Sequence, residues 1–228
     1  MASAVRDESA LDDAAALVYV LAGRASEDDL ALLKRARREG MPIVCVLAGP
    51  HGEDVPDPPY VLAENVVRVP PGSGFPLERI AGAIARALGE RATPLAARLP
   101  VLRDAVVDRL IVQFSRQNGI VGAAVFLPGA DLPVLTLNQA RLVLRIALAY
   151  GQEIDKDRAV ELLGVVGLGF GMRTVARELL DLVPVAGWAV KAGIAYAGTR
   201  AFGEAARRYF ETRAPVTRVP GDRAVFPR

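Results

Sequence analysis

Apolar residues fall along this chain in two regimes. Residues 16–22 (ALVYVLA) and 42–48 (PIVCVLA) are continuous apolar runs of strand length. A run without a polar face suits a parallel strand covered on both sides. Residues 65–69 form a third, weaker run. Between the first two, Ser26 opens a helix. Its hydroxyl can cap free backbone N–H groups, and Glu27, Asp28 and Asp29 crowd the positive end of the dipole. Lys34, Arg35, Arg37 and Arg38 stand toward the negative end, and Gly40 supplies the stop. Residues 77–88 form a second amphipathic helix, with Ile80, Ile84 and Leu88 four apart. The order β-α-β-β-α allows parallel pairing in a small sheet. Such a sheet needs another layer, or a partner, to cover it.

Residues 91–100 read as a junction, and beyond them the spacing turns helical. Leu102, Val106, Leu110 and Phe114 recur at every fourth position. They lead into residues 119–151, which run apolar, break at Pro128-Gly129, and run apolar again to Tyr150-Gly151. That is the pattern of a helical hairpin. The TLNQ stretch from Thr136 to Gln139 fits a capping box and predicts the start of the second arm. Asp155 is expected to cap a further helix carrying residues 159–163. Gly164, Gly167 and Gly171 then recur on one helical face, and Pro184 and Gly187 break the run. Finally Ala189, Gly193, Ala197, Ala201 and Ala205 recur at every fourth position. A stripe of tiny side chains lets another backbone approach closely, a device common in membrane helices.

The expected fold is α/β plus all-α: a small, three-stranded, mostly parallel sheet with two helices, followed by a helical bundle of hairpins. The expected divisions are a flexible start (1–13), an α/β domain (14–95), a glycine-rich helical domain (100–211) and a flexible tail (212–228).

Composition sharpens the setting more than the chemistry. The chain is 52% hydrophobic but only 6% aromatic, so its apolar mass is Ala, Val and Leu. A net charge of +2 is too weak to argue for nucleic acid, and it is compatible with an anionic membrane surface. Cys45 is the single cysteine, so no intrachain disulfide can form. The acidic start lacks a secretory pattern, which makes the cytoplasmic side the default setting. The mean hydropathy of +0.26 is high for a soluble protein. Yet no uninterrupted apolar run reaches the ~18 residues of a clear transmembrane span.

Little here resembles reaction machinery. GLGFG at residues 167–171 does not follow a strand and lacks the G-x-G-x-x-G spacing, so helix-packing glycines explain it better. His51-Gly52-Glu53 lacks the downstream cysteine pair of a zinc deaminase, and reads as surface loop. One His and one Cys cannot assemble an ordinary zinc site. Asp28 with Asp29, and Asp155 with Asp157, read as helix-start chemistry. Arg141 with Arg145, and Arg173 with Arg177, place guanidinium pairs on helix faces, where phosphates of lipid or nucleotide could meet them. Trp188, Lys191 and Tyr196, beside Gly193 and Ala197, could form an interfacial anchor for a membrane or partner. No catalytic residue, cofactor or metal is expected.

The first 90 residues resemble the second half of an Era-like or Ras-like GTPase domain. ALVYVLAG is similar to the strand ahead of the penultimate helix. MPIVCVLAGPHG falls where such domains carry the strand ending in Asn-Lys-x-Asp, and VVRVPPGSGFPLERIAGAI where they carry the Ser-Ala loop and last helix. Ala48-Gly49-Pro50-His51 and Val69-Pro70 stand in place of those motifs, and no G-x-x-x-x-G-K-[ST] occurs. Residues 100–211, through QNGIVGAAVFLPGADLPVLTLNQARLVLRIALAYG, resemble an uncharacterised helical family found fused behind bacterial Era-like GTPases, whose members are often regarded as membrane proteins. The resemblance implies a GTPase-like domain that has lost nucleotide binding, joined to a helical membrane or interaction module. The expectation is a non-enzymatic, membrane-associated or partner-binding protein on the cytoplasmic side of a bacterial membrane, with a protein partner and a possible homo-oligomer. A soluble cytoplasmic regulator or adaptor of a GTPase is the alternative.

Overall fold

The computed structural model describes residues 14–49, 55–124, 132–153, 164 and 188–212. Contacts divide the chain into two compact units, Met1–Leu95 with Asp104–Val106, and Ala96–Arg103 with Val107–Arg228.

In the first unit, β1 (Leu17–Leu21), α1 (Glu27–Arg38), β2 (Ile43–Leu47), β3 (Val66–Arg68) and α2 (Leu77–Leu88) follow one another. The strands form a sheet in the order β1-β2-β3, and both pairings are parallel. The expected β-α-β-β-α order is therefore the observed one, with every pairing parallel. β2 is central and buried along its whole length, which is why its sequence has no polar face. Leu33 and Ala36 of α1 pack with Ile43, Leu17 and Tyr19 on one face of the sheet. Ile80, Ala83 and Ile84 of α2 pack with Val44, Val46, Val67 and Val69 on the other.

Local chemistry sets the ends of α1. Ser26 accepts from the Asp29 N–H (3.2 Å), and Asp29 Oδ2 accepts in return from the Ser26 N–H (2.8 Å). These reciprocal bonds satisfy two of the helix's free donors. The Tyr19 hydroxyl donates to Asp29 Oδ1 and ties the start of α1 to β1. At the other end Gly40 turns with φ +70°, and the Met41 N–H donates to the Ala36 carbonyl (2.9 Å). Residues 91–100, expected as a junction, instead carry α3 (Ala92–Arg98). Pro94 fits there because a first-turn residue needs no N–H partner.

The second unit contains α4 (Arg103–Ala124), α5 (Leu132–Ala149) and α6 (Trp188–Glu211). The apolar fourth positions Leu102, Val106, Leu110 and Phe114 are all buried. Two boundaries differ from expectation. α4 runs unbroken through Asn118-Gly119, so the first arm of the hairpin is the C-terminal part of one 22-residue helix. α5 begins at Leu132, which puts Thr136 inside the helix and removes its role as a cap. Within that polar stretch Asn138 hydrogen-bonds across to α4, while Thr136 is exposed. The Pro128-Gly129 break lies outside the described residues, as do the helix expected at 159–163 and the Pro184 break.

Close helix approach is located at Gly203, not along the stripe at every fourth position. A Cβ on Gly203 would stand 2.7 Å from Ile111 Cγ1 and 3.1 Å from Leu142 Cδ2. Gly193 has nothing within 4 Å of the same point. Replacing a helical glycine by alanine gains roughly 1 kcal/mol of propensity, whereas overpacking costs about 1–3 kcal/mol. Gly203→Ala should therefore lower the thermal unfolding midpoint, and Gly193→Ala should leave it unchanged or raise it. Equal effects of the two substitutions in calorimetry would contradict this packing.

Candidate functional site

One polar layer links the three helices of the second unit, with Asn118 and Thr199 buried and Asn138 half-buried. Asn118 of α4 is fully buried; its Nδ2 donates to Thr199 Oγ1 of α6 (2.8 Å), and its Oδ1 accepts from Asn138 Nδ2 of α5 (2.7 Å). Toward the opposite end, Arg207 pairs with Asp108. There Tyr150 stacks on Phe210 at 6.0 Å, and the Arg103 guanidinium lies 5.0 Å from the Tyr150 ring centre. These pairings make α4 antiparallel to both α5 and α6. The C-terminal part of α4 and the N-terminal parts of α5 and α6 therefore share one end.

That end is apolar. Beyond the Asn118 layer, Ile120 is 69% exposed, Leu137 50%, Ile194 46% and Val134 45%. None of residues 118–124, 132–138 and 188–199 is an aspartate or glutamate. Arg116, Arg141 and Arg200 are exposed within about one turn of the same layer, one on each helix. Apolar side chains without a carboxylate among the described residues of this end, with exposed arginines nearby, suit a surface that is greasy inside and anionic at its rim.

The candidate residues fall variously on this frame. Gly193 and Ala197 are exposed on α6, so the small-residue stripe faces outward there. Tyr196 is half-buried, with its Cβ 3.4 Å from where a Gly119 Cβ would stand. Arg141 is exposed, while Arg145 turns back over the Phe114 ring at 5.9 Å. The guanidinium pair is thus split between solvent and packing. The side chains of Trp188 and Lys191 lie outside what the structure describes, although both belong to α6. Asn118, Asn138 and Thr199 are absent from the sequence-based candidates. Their signal is a lone polar residue inside an apolar helix, which reads equally well as surface.

Chemistry is sparse elsewhere. Among the described residues no group of three His, Cys, Asp or Glu side chains could hold a metal. Among them also, no helix is long and apolar enough to cross a membrane. Burial pushes the Cys45 thiol up to about 12, helped by the carboxylates of Asp57 and Asp29, so it stays a neutral core side chain. In the first unit a shallow cavity of about 220 Å³ is lined by Arg37, Tyr60, Asn65 and Arg86, among others. It lies by the start of β2, whereas parallel sheets receive ligands beyond their strand C-termini. At that C-terminal end β1 and β2 stay adjacent one residue past their last bond: a Cβ on Gly49 would come within 2.5 Å of the Ala22 carbonyl oxygen. His51, residues 167–171, Asp155, Asp157, Arg173 and Arg177 lie outside the described residues.

Comparison with protein-family models, curated proteins and solved structures finds no match to this chain.

The buried layer should be costly to break. Asn118→Ala would strand the buried Thr199 hydroxyl, worth roughly 1–3 kcal/mol when left unpaired, while the half-buried Asn138 amide can turn to water. Chemical denaturation should show a loss of about 1–3 kcal/mol. A loss well below about 1 kcal/mol would mean the three side chains do not form a layer.

Proposed function

We propose that this protein is a non-enzymatic, membrane-associated binding protein whose helical unit seats its apolar end on an anionic lipid surface. The observation that carries this reading is the exposed set Ile120, Val134, Leu137 and Ile194, with no Asp or Glu among the described residues beyond the Asn118 layer and with Arg116, Arg141 and Arg200 exposed within about one turn of it. Apolar side chains entering the acyl boundary and arginines at phosphate depth act together in peripheral attachment. Small outward-facing residues at Gly193 and Ala197 let such a surface, or a membrane protein within it, come close to the α6 backbone.

The first unit is, in this reading, a GTPase-like module without nucleotide binding. Three parallel strands in sequential order support the kinship. One feature supports the loss: other residues stand in place of the base-reading motifs. Its role is to bind a protein partner.

Liposome flotation tests the membrane part. The purified chain should float with vesicles of phosphatidylethanolamine and phosphatidylglycerol, and less with neutral phosphatidylcholine vesicles. The double variant Ile120→Lys/Leu137→Lys, both at exposed positions, should stay at the bottom while retaining its helical circular dichroism. Absence of wild-type flotation, or equal flotation of the folded variant, would overturn the reading and leave a soluble adaptor.

A further inference from the structure

We infer that β1 is a self-pairing edge, and that two copies of this chain join through it into one six-stranded sheet. The inference is independent of the membrane reading and starts from hydrogen-bond parity. The Leu17 N–H donates to the Pro42 carbonyl (2.9 Å), and the Leu21 carbonyl accepts from the Ala48 N–H (2.8 Å). In the parallel register Leu17↔Ile43 to Leu21↔Leu47, residues 17, 19 and 21 thus direct their backbone groups to β2. The N–H and C=O groups of Val18 and Val20 point the other way, along an edge that no described strand covers.

Edge strands are ordinarily protected by a charge, a proline or a bulge. β1 has none: its sequence is Leu-Val-Tyr-Val-Leu, uncharged and identical in both directions. Val18 and Val20 are 43% and 52% exposed, on the face that α2 covers only over β2 and β3.

The occupant that matches this edge is a second β1. In an antiparallel pair centred on Tyr19, Val18 stands opposite the second copy's Val20, and Leu17 opposite its Leu21. Parity then makes both valine pairs hydrogen-bonded, giving four bonds, with Tyr19 facing its own copy as the non-bonded pair. All four exposed valines meet on one face as cross-strand pairs. The described flanks are small, Ala15 and Ala16 coming opposite Gly23 and Ala22.

A second feature agrees. α1 packs over β1 and β2, so the two α1 helices would lie antiparallel about 10 Å apart, an ordinary packing distance. The acidic first turn of one (Glu27, Asp28, Asp29) would face the basic last turn of the other (Arg35, Arg37, Arg38). The two dipoles would oppose as well.

Sedimentation velocity of the full chain over a range of concentrations is the test. Wild type should move from 24.2 kDa toward twice that mass. Val20→Pro removes an N–H that no described strand uses, so the fold should persist. It deletes two of the four bonds and should raise the dimer dissociation constant about tenfold or more. Register is read separately by mild oxidation. Val18→Cys/Val20→Cys places thiols on strand pairs about 5.5 Å apart and should give a covalent dimer, whereas Val18→Cys alone should not. Cys45 is buried and contributes no background. A wild type that stays monomeric at every concentration overturns the inference. So does a dimer that a folded Val20→Pro leaves unchanged and the cysteine pair fails to cross-link.

Discussion

A parallel sheet has to be covered on both faces, and among the described residues α1 packs on one face of the three strands and α2 on the other. That arrangement shapes the first unit. β2, flanked on both sides, takes the full cover and can be apolar at every position. α2 lies over β2 and β3, so the outer strand keeps one face and one edge open. The uncovered surface is the direct geometric result of a sheet one strand wider than its second helix can shield. Val18 and Val20 are where that shortfall appears.

The helical unit meets a similar constraint by other means. With few aromatic residues its helices must approach closely to exclude water, and Gly203 opens the space that Ile111 and Leu142 fill. Small side chains pack closely but specify register weakly. The Asn118 layer supplies specificity, since sliding any of the three helices would leave buried amide and hydroxyl groups unpaired. Beyond this layer the helices are apolar and exposed, while behind it Arg207–Asp108 and Tyr150–Phe210 close the other end. The two described ends are thus chemically unlike.

Much of the α/β unit is legible in the sequence because its signals are local. The cap at Ser26, the stop at Gly40 and the continuous run of β2 each depend on a few adjacent residues. The strand order follows from short crossovers. The helical unit is legible only as periodicity. Thr136 to Gln139 imitates a cap although α5 starts at Leu132, and Asn138 within it bonds to the neighbouring helix, which spacing alone does not reveal. Spacing by four locates a stripe of small residues on α6 but does not say which face is inside. The glycine that matters for packing, Gly203, lies two residues from that stripe. The apolar tip needs the helix directions, since Ile120, Leu137 and Ile194 are far apart in sequence.

Amide hydrogen exchange along β1, resolved residue by residue, tests the central claim most directly: that this strand turns one set of backbone groups inward and leaves the other at an open edge. In dilute protein the Leu17 and Tyr19 amides, bonded to β2, should be protected, and the Val18 and Val20 amides should exchange quickly. Protection at Val18 and Val20 should then rise with protein concentration. Equal protection of all four amides at every concentration would contradict the account, because the edge would already be closed within a single chain.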